Sequence, residues 1–242
     1  SEDSAPMKEH QQGNDQYIKA LMDISQALTS DLFLDDLFKL IVMVVAKVTG
    51  VDICSLWLVD ETSNPPKVRL KATQAIEPEY VLNRSLNLNE GVVGHVISTQ
   101  APLVIADVLQ CEIFKEKEMA RKMGLVAMIG VPLQGKGDRV IGALNCFTSS
   151  PHEFSRTDIN LLTAVANQAA VAILNTELII KTHIIQEELK SRKKIERAKE
   201  IIMERNQTGG EEAYRWIQKR SMDSRKSMLE VAEAILLANE IY

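Results

Sequence analysis

SRKKIERAKEIIMERNQTGGEEAYRWIQKRSMDSRKSMLEVAEAI, residues 191–235, is the part of the chain on which the architecture turns. Between residues 190 and 226 there are twelve Lys or Arg against six Asp or Glu, a local charge of +6 in a chain of formal charge −5. So local a reversal of sign reads as the electrostatic footprint of a polyanion, nucleic acid first. Two capping boxes divide the stretch: Thr208 with Glu211 three residues on, and Ser227 with Glu230. They predict helices over residues 210–222 and from Ser227 onward, which with the helix before Thr208 make a three-helix tail. A tail this small buries too little to be very stable alone.

Working backward, no Pro or Gly occurs between Asp158 and Gly209, so the helical period runs for about 45 residues. Its first part carries Ala164, Ala166, Ala169, Ala170 and Ala172, small residues that let helices pack closely. Its second part spaces Leu178, Ile185, Arg192 and Lys199 by sevens, with Ile195 and Ile202 between them. A helix of this length needs a partner, and a second copy of the chain paired as an imperfect coiled coil supplies one.

Residues 17–28 place Ile18, Leu21, Met22, Ile24 and Leu28 near one helical face, and residues 34–49 form a second amphipathic helix stopped by Gly50. The pattern then turns β-rich at 51–59, 67–73, 101–105, 125–133 and 139–147, split by turns at Asn64-Pro65-Pro66 and Gly135-Lys136-Gly137. Short helices are expected from Gly91 and over residues 112–123. The result is an α+β domain with a mostly antiparallel sheet. A polar stretch at 1–15 reads as a disordered tail.

The composition, 45% apolar and 25% charged over 242 residues, is that of a globular protein. The richest apolar run, residues 37–48, is broken by Lys39 and Lys47 and is too short for a membrane span, so a cytoplasmic protein is expected. Cys54, Cys111 and Cys146 are odd in number and lack C-x-x-C spacing, which argues against disulfides and against a zinc site.

In the tail, Arg192 and Lys199 lie two turns apart on one flank of the long helix. Arg220 ends the second helix, and Arg225 and Lys226 precede the third, whose free amides attract phosphate. Ser227 is a cap first and a phosphate contact second. Tyr214 and Trp216 offer rings on which unpaired bases stack. On charge alone, a solvated face paired with Glu196, Glu200 and Glu204 accounts for the cations equally well. Tyr214, between Ala213 and Ile217, suits a partly buried core position better than a stacking platform.

Three motifs sharpen this: S-R-x-x-I-E-x-A-K-x-I-I-M at 191–203, E-E-A-Y at 211–214 and S-M-D-x-R-K-S-M-x-E-V-A-E-A-I at 221–235. Together they closely resemble the ANTAR domain, an RNA-binding three-helix module of bacterial transcription antitermination regulators. Many members have Gly where this chain has Glu200, a helical position that tolerates the change. The resemblance implies a dimer that grips two consecutive RNA hairpins with short apical loops, one per subunit, so that the RNA cannot refold into its terminator. With that partner in view, the RNA contacts are assigned to Arg192, Lys199, Tyr214, Arg220, Arg225, Lys226 and Ser227.

Upstream, G-V-V-G at 91–94, P-L-V-I-A-D at 102–107, G-x-x-A-M-I-G-V-P-L at 124–133, V-I-G-A-L-N at 140–145 and F-S-x-x-D at 154–158 resemble the GAF domain, a small-molecule sensing module. Of the signature associated with cyclic-nucleotide binding, Asn145, Phe154 and Asp158 match, but Cys146 stands for the lysine and Ile159 for the glutamate. Cyclic-nucleotide binding is therefore not expected. Ligand contacts are assigned to His95, Asp107, Cys111 and Asn145. A thiol redox role for the cysteines, or metal or haem ligation by Cys111 with His95, competes with the simpler account that they are small buried apolar residues.

No Ser-His-Asp arrangement or phosphate-binding Gly-rich loop is present, and no catalysis or resident metal is expected, while the sequence assigns no cofactor either way. The domains expected are 16–175 as the GAF sensor, 176–190 as a helical coiled-coil linker and 191–242 as the ANTAR domain. A small-molecule signal at the sensor would act on the tails through the long helix. Two other functions fit a basic three-helix tail: a duplex-DNA-binding regulator, and a sensor that acts through a protein partner.

Overall fold

The structure is a computed structural model and describes residues 34–75 and 84–241. The expected helix at 17–28 and tail at 1–15 lie outside the described residues. The chain divides into two compact units, Ser1–Leu178 and Ile179–Tyr242.

In the first unit, α1 (Leu34–Thr49) turns Leu37, Phe38, Ile41, Val42 and Val45 inward. Asp35 and Asp36 in its first turn and Lys47 in its last suit the helix dipole. Gly50, at φ 72°, ends it with an N–H bond to the Ala46 carbonyl. The strands are β1 (Ile53–Asp60), β2 (Lys67–Thr73), β3 (Ser85–Asn87), β4 (Leu103–Ile105), β5 (Ala127–Gln134) and β6 (Val140–Thr148). They form one sheet in the order β3-β2-β1-β6-β5-β4, with every pair antiparallel.

The central strands β1, β6 and β5 are buried along nearly their whole length because both faces of the sheet are covered, so their sequences read as unbroken apolar runs. On one face, α1 and the first half of α4 (Arg156–Asn206) pack over Leu56, Ile129, Val131 and Leu144. On the other, α2 (Gly91–Thr99) and α3 (Lys117–Met123) cover Trp57, Met128, Ala143 and Phe147. Phe114 meets Phe147 edge-on at 6.0 Å.

Three features add to or depart from what the sequence led one to expect. β3 has only three residues, too few for alternation to register. The helix expected from residue 112 begins at Lys117, because Phe114 is turned into the core and Glu116 is held by the Arg84 guanidinium. The long helix also contains a window apolar enough, by length and composition, to cross a membrane. Asn160, Thr163, Asn167 and Gln168 interrupt that pattern in the sequence, and the same helix commits Leu162, Val165, Ala166, Ala169, Ala170 and Ile173 to the core beneath the sheet.

α4 is a single helix of 51 residues. Ser155 and Asp158 cap its start: the Asp158 N–H donates to the Ser155 hydroxyl at 3.1 Å, and the Ser155 N–H donates to the Asp158 carboxylate at 2.8 Å. Partial burial raises the Asp158 pKa, but these bonds and nearby His152 outweigh it and hold the carboxyl below its ordinary value.

In the second unit, the end of α4 packs with α5 (Gly210–Ser224) and α6 (Met228–Ile241). The core is eight buried residues: Ala198, Ile201, Ile202, Ala213, Ile217, Val231, Ala232 and Ile235. The expected Ser227–Glu230 box is formed. The expected Thr208–Glu211 box is not. Gln207, at φ 51°, ends α4 with the Thr208 N–H bonded to the Met203 carbonyl, which leaves the Thr208 hydroxyl buried without a partner. Gly209 is the N-cap of α5, and Glu211 accepts from Arg215 instead.

Gly142 is the tightest point of the sheet. A Cβ there would lie 1.9 Å from the Trp57 carbonyl oxygen, a backbone atom that cannot rotate away. Gly142→Ala is therefore expected to destabilise the first unit by about 1–3 kcal/mol or more, read as a lowered urea midpoint.

Candidate nucleic-acid interface

The basic residues of the tail fall into two classes. Some are held by acids or amides: Lys194 by Glu233, Lys199 by Glu196, Arg215 by Glu211 and Arg205 by Asn239. Others have no carboxylate within ion-pair distance among the described residues: Arg192, Lys193 and Arg197 on α4, Lys219 and Arg220 on α5, and Arg225 and Lys226 in the turn that follows. All seven are exposed. Exposed pairs contribute little to stability, so the second class is the informative one. Exposed cations that form no ion pair are the ones available to a polyanion.

Of the residues singled out from the sequence, Arg192, Arg220, Arg225 and Lys226 belong to this free class. Lys199 is the least exposed of them and lies beside Gly210, where its stem packs at the start of α5. Lys193, Arg197 and Lys219 were missed. For Lys193 and Arg197 the signal was the lack of an acid four residues away, which charge counting over the whole segment obscures; Lys219 has Asp223 at that spacing, and the unformed pair shows only in the structure.

The turn between α5 and α6 is rigidly specified. Arg225 adopts a left-handed conformation, φ 54°, as the residue that ends α5. Its N–H bonds the Met222 carbonyl at 3.3 Å, and the Lys226 N–H bonds the Ser221 carbonyl at 3.2 Å. Ser221 closes the turn by donating its hydroxyl to the Lys226 carbonyl. Glycine is the residue that usually occupies such a position; a side chain there costs about 1–3 kcal/mol. Both cations are thereby fixed at the negative end of α5.

The amides that open α6 are partly spoken for. The Ser227 N–H donates to the Glu230 carboxylate at 2.7 Å and the Glu230 N–H donates to the Ser227 hydroxyl at 3.1 Å. The first of these bonds is the main reason the Glu230 carboxyl sits below its ordinary pKa. Ser227 thus acts here as a cap.

The two aromatic residues are separated. Tyr214 is 42% exposed and lines a groove with Ile185, Leu189, Arg192 and Ile195 of α4. Trp216, 40% exposed, is two positions and about 200° further round the helix, where Arg220 lies over its ring at 5.9 Å from the centroid. Tyr214 is therefore not a core residue.

The residues assigned to the sensor do not converge. His95 is exposed and lines a polar cleft with Asn87, Glu90, Glu112 and Lys115. Asp107 accepts from the Leu109 N–H and caps the short turn Val108–Gln110. Cys111 is partly buried. Asn145 is buried on β6 beneath α2, close to Gly130, Val92 and Val96, and its amide oxygen has no hydrogen-bond partner. The Trp57 ring N–H, also buried and unpartnered, belongs to the same covered side of the sheet and was missed in the sequence. Cys54 and Cys146 face each other across β1 and β6 with sulfurs 3.8 Å apart, and burial pushes the Cys54 thiol well up. Among the described residues, no three His, Cys, Asp or Glu side chains come together as a metal site.

Comparison with known proteins fits this division. The GAF domain family model matches residues 33–173, and the ANTAR domain model matches residues 185–236. Among solved structures, the GAF domain of an Acinetobacter phosphoenolpyruvate-protein phosphotransferase is 23% identical with a TM-score of 0.55, covering 69% of this chain and 96% of that one. The GAF domain of the Coxiella burnetii phosphoenolpyruvate-protein phosphotransferase is 21% identical with a TM-score of 0.58, over 68% of this chain and 95% of that one. Free methionine-R-sulfoxide reductase from Neisseria meningitidis, solved with its substrate, is 18% identical with a TM-score of 0.54, over 68% of this chain and 90% of that one. At such identities the likeness is one of fold. No curated protein matches the chain. GAF domains are small-molecule sensors and ANTAR domains are RNA-binding antitermination modules, both regulatory. With more than half its length matched, the chain belongs to the GAF domain family and carries an ANTAR domain behind its sensor.

Proposed function

We propose that the protein is a non-enzymatic cytoplasmic regulator that, as a homodimer, binds two consecutive RNA hairpins in transcript leaders and so prevents transcription termination. The observation that carries the reading is the set of uncompensated cations along the end of α4, the end of α5 and the turn after it, within the segment matched as ANTAR. Arg192, Arg220, Arg225 and Lys226 contact phosphates, and Lys199 contributes from the edge of the set. A small molecule taken up by the GAF domain biases the state of the dimer. α4, one helix from Arg156 to Asn206, carries that bias to the tails.

Dimerisation rests on the middle of α4. Every residue from 181 to 190 is exposed, yet Ile184, Ile185 and Leu189 are large and apolar. A lone helix with such a stripe is not stable in water without a partner, and a second copy supplies the matching stripe. Ile185→Glu together with Leu189→Glu is expected to convert the dimer to monomer in sedimentation velocity. A mass that stays dimeric removes this stripe as the interface.

RNA recognition is tested by matched-salt binding to a tandem-hairpin RNA and to duplex DNA. Replacing Arg220, Arg225 and Lys226 by Ala is expected to leave the helical content intact. It should weaken RNA binding at least a hundredfold at low salt and flatten the log–log salt slope by about 2–3, at 0.7–0.9 per phosphate contact. Preference for the duplex, or unchanged binding, would sink the reading.

Arg225→Gly separates binding from folding. Relief of the left-handed residue is expected to raise tail stability by about 1 kcal/mol in thermal unfolding, while RNA affinity falls.

A further inference from the structure

The geometry points to Trp216 as a stacking platform for an unpaired base in the loop of a bound RNA hairpin, with Arg220 as its electrostatic partner. This inference rests on the RNA reading above and adds a contact to it that charge does not predict.

Three observations carry it. Trp216 is a large aromatic residue on a helix whose inward face is already supplied by Ala213 and Ile217, and 40% of its surface stays in water. It is not needed to close the eight-residue core of the tail. The Arg220 guanidinium, one turn along α5, lies over the indole at 5.9 Å, and among the described residues neither Arg220 nor neighbouring Lys219 has a carboxylate partner. A ring electron cloud beside unpaired cations suits a ligand that is flat and anionic at once, which a nucleotide is. An apolar protein partner would have to desolvate the guanidinium with nothing to pair it.

Position also separates the two aromatic residues by role. Tyr214 opens onto the groove shared with Ile185, Leu189 and Ile195, the side of α4 that carries the exposed apolar stripe. Trp216 lies about 200° away, on the side of Arg220 and, three residues on from it, Lys219. In this arrangement Tyr214 shares its groove with Arg192 of α4, while Trp216 stands beside the unpaired cations of α5. Helix–phosphate contacts fix the register of the RNA, and the stacked base reports that the loop is single-stranded.

The chain contains two tryptophans, and Trp57 is only 1% exposed, so a change in fluorescence on RNA addition reports Trp216. The experiment uses the full chain with a synthetic RNA of two consecutive short-looped hairpins, and the same RNA with abasic sites in the loops. Trp216→Ala is expected to weaken binding of the intact RNA about tenfold without changing the salt slope, because no charge is lost. Trp216→Phe should keep most of the affinity, and wild-type fluorescence should be quenched by the intact RNA. On the abasic RNA, wild type and Trp216→Ala should bind alike. If the RNA binds but Trp216→Ala equals wild type, or loses equally on both RNAs, the stacking proposal falls while RNA recognition stands. If Trp216→Ala instead dissociates the dimer, Trp216 belongs to a protein interface and the proposal falls. If wild type does not bind the RNA, both readings fall together.

Discussion

Everything in this chain hangs on the continuity of one helix. α4 begins at the Ser155–Asp158 cap and ends at the left-handed Gln207, and in its 51 residues it meets neither a proline nor a glycine. Its surface changes by segment. The first half is lined with Leu162, Val165, Ala166, Ala169 and Ala170 and belongs to the core beneath the sheet. Residues 181–190 are wholly exposed, and Ala198, Ile201 and Ile202 then form one wall of the tail's core. No propensity argument explains a helix of this length; tertiary contacts secure its ends, and its middle is exposed.

The tail shows what such dependence means. Eight buried residues, three of them alanine, are a thin core for α5 and α6, and without the end of α4 three of the eight disappear. The proposed binding surface therefore has no independent existence. Its free cations are divided between α4, α5 and the turn after α5, so their mutual spacing is set by the same packing that makes the core. A surface assembled in this way is sensitive to what happens along α4, because register and face of the helix decide where Arg192 and Arg197 stand relative to Arg220 and Arg225.

Much of this was legible in the sequence because it follows from local rules. The long helix was visible through the absence of breakers, α6 through Ser227 and Glu230, and the central strands through apolar runs bounded by turn residues. What failed had a physical cause each time. β3 has three residues, shorter than the period needed to see it. Thr208 carried the sequence of a cap, but the helix before it ended one residue too close and turned the hydroxyl inward. α3 lost its first turn to the burial of Phe114, a tertiary preference stronger than helical periodicity. In the sensor, the four assigned residues came from motif position, and position in a motif does not say which face of α2 a side chain takes. His95 fell on the outside and Asn145 beneath.

The same distinction governs the cations. A count of charge could state that the tail is basic, but not which residues are available, since Lys194 and Arg215 are tied up by acids brought near in the fold or one turn away. Lys194 is the instructive case: Glu233 is 39 residues distant in sequence and sits on another helix. Arg225 is the converse. It occupies a position where glycine would be the more stable choice, and the chain retains an arginine there at a cost in backbone energy. Stability does not account for that arginine. On the RNA-binding reading proposed above, a charge held at a fixed point between two helices does, and it is the geometry that the neighbouring Ser221 and Lys226 bonds maintain.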